Sequence, residues 1–102
     1  MNTKLLQFVK EQYYTARTGS VREKVVGTVW RYLVFLYLAR ISSLEEGQKL
    51  CFLTRTGSPE RTTVFEKMLR YVDSEEKAVF ARNLVQENTP EAGLADAVLA
   101  KF

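Results

Sequence analysis

Residues 20–41 read SVREKVVGTVWRYLVFLYLARI, and the reading of this stretch decides the fold. Ser20 with Glu23 three residues on is a capping box: the hydroxyl accepts from a helix-start N–H and the acid reaches back to Ser20. Between Val25 and Ala39 the one charge is Arg31, and no turn residue separates Thr28 from Ile41. Val, Trp, Tyr, Phe and Ile also favour strands. The cap and the uninterrupted length nevertheless predict a helix over residues 21–41. Lys24, Gly27, Thr28 and Arg31 share one side of it, and from Tyr32 onward the segment is apolar all round. A helix of that kind is enclosed, so either the other helices wrap it or a second protein covers what they leave bare.

The uninterrupted apolar run, Leu33–Ala39, is far short of the roughly 20 residues that span a bilayer. Arg31 and Arg40 flank it, inside or at the edge of any span built on this helix, and arginine at a bilayer centre costs about 2.5–3.5 kcal/mol on insertion scales. The stretch therefore reads as a core or interface helix, with no membrane role.

Upstream, Asn2 or Thr3 caps a helix over Lys4–Arg17. Leu5, Phe8, Val9, Gln12, Tyr13 and Ala16 form its inward stripe, Lys4, Lys10, Tyr14 and Arg17 its outer side, and Gly19 its end. Downstream, Ser43 and Glu46 repeat the capping box and open a helix over Leu44–Thr56, closed by Gly57; residues 48–54 also fit a short strand. Ser58–Pro59 opens a fourth helix to Val72, burying Val64, Phe65, Met68, Leu69 and Val72. Asp73 with Glu76 opens a fifth to Glu87, with Ala81, Leu84 and Val85 inward and Phe80 beside them. Thr89-Pro90-Glu91 opens the last, with Leu94, Val98 and Phe102 on one stripe. The expected fold is all-α: a single domain, residues 1–102, built as a compact bundle of about six short helices around a central hydrophobic helix at residues 21–41.

The residue inventory narrows the chemistry. There is no histidine and a single cysteine, Cys51, so no Cys–His pair, no four-ligand zinc set and no internal disulfide can form. The five glycines are too far apart for a phosphate-cradling loop. Glu45-Glu46 and Glu75-Glu76 sit in first helical turns, where acids are favoured by the helix dipole. The expectation is a protein without catalytic residues, cofactor or metal. One cysteine and no secretory leader pattern place it in a reducing, cytoplasmic setting.

Charge is unevenly spread. Residues 1–40 carry seven Lys/Arg and two Glu, whereas residues 41–102 carry eight Lys/Arg and ten Asp/Glu. Lys10, Tyr14, Arg17, Arg22, Lys24 and Arg31 are candidates for a face that contacts a nucleic-acid backbone, cations for phosphates and tyrosine for a base. A helix-turn-helix over residues 44–72 would present Arg61, Thr62, Lys67 and Arg70. Trp30, Tyr32, Phe35 and Tyr37 are candidate anchors for a protein partner or a second copy. The leading expectation is an accessory subunit that meets nucleic acid through the basic face while docking on protein. The alternative is a protein adaptor or inhibitor that uses the aromatic helix alone.

Overall fold

Hydroxyl caps set all the helix starts but the first in the computed structural model of the chain, which describes residues 3–102. In order they are α1 (Lys4–Tyr14), α2 (Val21–Leu38), α3 (Leu44–Leu53), α4 (Pro59–Met68) with a 3₁₀ turn at Leu69–Tyr71, α5 (Glu75–Asn83) and α6 (Pro90–Leu99). No strand occurs among the described residues, and residues 48–54 are the end of α3 with its cap Thr54. The fold is all-α. Contacts gather in two compact units, the first ending at Ile41 and the second running from Ser42 to Phe102.

Ser20, Ser43, Ser58, Ser74 and Thr89 each accept from the N–H three residues ahead, opening α2 to α6. Such a cap contributes about 1 kcal/mol. The reciprocal acids reach one residue further back than the usual box: Glu23 accepts from the Gly19 N–H at 3.2 Å and Glu46 from the Ser42 N–H at 3.3 Å. The cap of α5 is Ser74 where the spacing suggested Asp73; Asp73 pairs instead with Lys77 at 2.9 Å. Asn2 lies outside the described residues, and Thr3 at the head of α1 accepts from the Gln7 side chain at 2.8 Å rather than from a backbone N–H.

Several helices stop earlier than their apolar spacing suggests. The Thr15 hydroxyl donates to the Glu11 carbonyl at 2.6 Å and the Thr54 hydroxyl to the Cys51 carbonyl at 2.5 Å. Side-chain hydroxyls that take the last carbonyls in this way compete with another backbone turn. Gly19 and Gly57 then adopt φ of +81° and +83° in the turns that follow, a conformation glycine reaches without penalty.

In the first unit α1 and α2 form a helical hairpin. Leu6 and Val9 are the buried residues of α1, while Leu5 and Phe8 are exposed, so its inward stripe is turned from the expected one. Tyr13 and Tyr14 account for this rotation, because both face α2. An added Cβ on Gly27 would stand 3.0 Å from Tyr13 Cε1, and the Tyr14 ring meets Trp30 edge-on, with centroids 6.1 Å apart.

In the second unit α4 packs against both α3 and α6, and α5 against α6. Leu50, Val64, Phe65 and Met68 are fully buried. The alanines Ala78 and Ala81 on α5 and Ala92 and Ala95 on α6 are buried too, which lets those helices approach closely. The larger residues expected inward on α6 lie at its margins: Leu94 and Val98 are half-buried and Phe102 is exposed. Gly47 is a packing glycine. A Cβ there would come within 2.7 Å of Met68 Cγ and 2.9 Å of Met68 Cβ. Gly47→Ala gains about 1 kcal/mol in helix propensity and loses about 1–3 kcal/mol to overpacking. It is therefore expected to lower the melting temperature; a rise in a thermal scan would show that α3 and α4 can spread at no cost.

Candidate interaction surface

Helix α2 has two apolar faces. At about 100° per residue, Gly27, Trp30, Val34 and Leu38 fall on one side, and all four are buried. On the other side Val21, Val25, Val29, Tyr32 and Leu36 recur at steps of four, four, three and four, with Phe35 beside them, and all six are exposed. Tyr32 is 63% and Phe35 66% exposed, against 2% for Trp30. The enclosure expected from the all-round apolar segment is thus replaced by a helix buried on one face only. The reason is supply: within its unit α2 (18 residues) has one helical partner, α1 (11 residues). Covering one Val, Leu or Phe side chain is worth about 1.5–3 kcal/mol, so the row of six is a substantial unmet driving force.

Of the four aromatic candidates, Tyr32 and Phe35 are on the exposed face. Trp30 is buried beneath Tyr14, and Tyr37 is half-buried on the flank of the inward side. The valines and Leu36 were missed. Their signal was present as a second three- and four-residue periodicity on the same helix, offset from the first.

The six basic-face candidates do not gather on one surface. Arg22 and Arg31 are nine positions apart, about 180° round α2. Arg22 is exposed and donates to the Gln12 side chain of α1. Lys24 lies on the Arg31 side, and both are exposed. Lys10 stands over the Tyr14 ring, 5.6 Å from its centroid, so this tyrosine is held between a cation and Trp30 instead of offering a face to a base. Arg17 is exposed in the turn after α1. Arg22 on one side and Lys24 with Arg31 on the other border the exposed apolar row. Three of the basic candidates, Arg22, Lys24 and Arg31, and two of the aromatic ones, Tyr32 and Phe35, are thus the margins and part of the centre of one strip. Glu23, the acid of α2, is held by the Gly19 N–H at the cap. Leu5 and Phe8 share a flank of α1 with Gln12, the acceptor of Arg22, and both are exposed.

The helix-turn-helix candidates turn inward in part. Arg61 donates to the Thr56 hydroxyl at 2.7 Å, and the Thr62 hydroxyl donates to Glu91 at 2.8 Å. Glu91 is only 5% exposed; the sequence marked it as no more than a first-turn acid. Burial pushes the Cys51 thiol above its ordinary value near 9, opposed by the neighbouring Arg61 guanidinium. The second unit also carries an open groove of about 660 Å³ between α3 and α5, lined by Leu44, Phe52 and Phe80 together with Lys49, Glu76 and Lys77.

No group of acidic residues and cysteine suited to a metal ion occurs among the described residues, and no helix among them is long and apolar enough to cross a membrane. Family models, curated proteins and solved structures were compared with the chain, and none matches.

The Cys51 shift has a defined pH signature. A thiol that ionises less readily when folded contributes stability fully present below its unfolded pKa and lost as pH rises through the folded one. The melting temperature should thus fall above about pH 9 more steeply in the natural protein than in Cys51→Ala. Equal slopes in the two proteins would remove Cys51 from the alkaline transition.

Proposed function

We propose that the protein acts by binding, without catalysis, and that it docks on a partner protein through the exposed face of α2. The observation that carries this reading is the continuous row Val21, Val25, Val29, Tyr32 and Leu36 with Phe35 at its side, all exposed on a helix whose opposite face is already buried. Contiguous exposed apolar surface of this kind marks interaction sites in soluble proteins, and tyrosine and phenylalanine are strong contributors at such surfaces. An adaptor or an inhibitor works in this way, as does an accessory subunit of a larger assembly.

A second reading, contact with a nucleic-acid backbone, is favoured by one feature: seven cations against two acids in residues 1–40. The positions of these cations favour it less. A phosphate backbone wants positive groups within the contact surface, whereas here Arg22 stands across the apolar row from Lys24 and Arg31.

The test pairs two substitutions with two assays. Val25→Lys and Val29→Lys together should leave the unfolding free energy within about 0.5 kcal/mol, as exposed substitutions do. They should also abolish co-purification of the partner from the native host. A doubly substituted protein that still retains the partner would show that docking uses another surface. Oligonucleotide binding at about 50 mM salt separates the second reading, because Lys10→Gln, Arg17→Gln and Lys24→Gln must then weaken affinity and flatten its dependence on log salt.

A further inference from the structure

We infer that the partner surface which covers α2 is an amphipathic helix whose apolar ridge is flanked on both sides by Asp or Glu. This rests on the docking reading above and adds the chemistry of the occupant. The exposed row runs from Val21 to Leu36, about 22 Å at 1.5 Å per residue, a length that one partner helix of four turns would match. Its steps of four, four, three and four are those by which one helix receives the side chains of another. Val21, Val25 and Val29 are short and held near one rotamer, so a second helix can come close while little side-chain freedom is lost. Tyr32 and Phe35 supply the large anchors at the other end.

The margins choose the sign of the partner. Arg22 borders the row beside Val25 and Val29, while Lys24 and Arg31 border it on the far side, next to Thr28 and Phe35. All three are exposed. The hydrogen bond that Arg22 gives goes to Gln12, a neutral acceptor that leaves its charge uncompensated. No acid is exposed along α2, since Glu23 is half-buried at the cap. Charges in these flanking positions set partner choice in paired helices.

The same argument excludes a second copy as occupant. If two α2 faces pair parallel and in register, Arg22 meets Lys24; if they pair antiparallel with the rows centred on each other, Lys24 of one copy falls close to Arg31 of the other. Either way cation opposes cation. The net positive charge of residues 1–40 also steers an acidic partner toward this unit. An anionic membrane would satisfy the margins, but helices that lie in a bilayer surface present Trp, Phe and Leu, and half of this row is valine.

Three synthetic helical peptides with one common Leu/Val ridge serve as probes, with Glu, Gln or Lys at every flanking position. Fluorescence anisotropy of the labelled peptides against the intact protein should show the Glu-flanked peptide binding at least about tenfold more tightly than the Gln-flanked one, with no binding of the Lys-flanked peptide. Arg22→Glu with Lys24→Glu should invert that order, and Val25→Lys with Val29→Lys should abolish binding of all three. Equal affinities for the three peptides would overturn the acidic partner while leaving apolar docking on α2 standing. Failure of every peptide to bind would overturn the helical occupant. Concentration-dependent dimerisation in sedimentation would then identify a second copy, and binding to phosphatidylserine-containing vesicles a lipid surface.

Discussion

The missing side chain at Gly27 lets the Tyr13 ring of α1 settle against the backbone of α2, 3.0 Å from where a Cβ would stand. Tyr14 closes on Trp30 next to it, with Lys10 over its outer face. This aromatic contact decides the first unit. Helix α2 is apolar on nearly every side in its second half, so its own sequence does not say which side goes inward. Seating α1 on Gly27 and Trp30 selects the side that continues to Val34 and Leu38, and it leaves the opposite row in water. The row proposed as the docking face is thus set by the packing of the hairpin.

The caps were the most legible part of the chain. A cap hydroxyl accepts from the N–H three residues on whatever that residue's side chain is, so α2, α3, α4 and α6 begin where Ser20, Ser43, Ser58 and Thr89 predict. Helix ends were harder. Thr15 and Thr54 use their hydroxyls on the last carbonyls, and this side-chain choice has no fixed spacing to glycine. Which of two adjacent stripes is inward was harder still. Leu5 and Phe8 looked like core on α1, yet Leu6 took that place once two consecutive tyrosines turned to α2. Periodicity reports that a face is apolar, and it cannot report what covers it.

The basic and aromatic candidates look like separate surfaces in the sequence because they occupy successive stretches, cations up to Arg31 and aromatics from Trp30 to Tyr37. On the helix they separate around the axis instead, which puts Arg22 and the Lys24–Arg31 pair on opposite borders of one row. In the second unit the most enclosed charge is Glu91, which the sequence presents only as part of the Thr89-Pro90-Glu91 helix start, since an acid in a first helical turn needs no further explanation. Only the Thr62 hydroxyl at 2.8 Å and the nearby Arg61 show that α4 and α6 meet around a polar group. A buried carboxylate is tolerated there because it is hydrogen-bonded.

The central claim is that α2 carries one buried and one exposed apolar face. Cysteine scanning measures it directly: in a Cys51→Ala background, single substitutions Val25→Cys, Val29→Cys, Val34→Cys, Leu36→Cys and Leu38→Cys are exposed to a water-soluble thiol reagent under native conditions. Rapid modification at positions 25, 29 and 36, with protection at 34 and 38, is the predicted pattern. Protection at 25, 29 and 36 equal to that at 34 would mean the row is covered within the folded chain, and the two-faced helix would be contradicted.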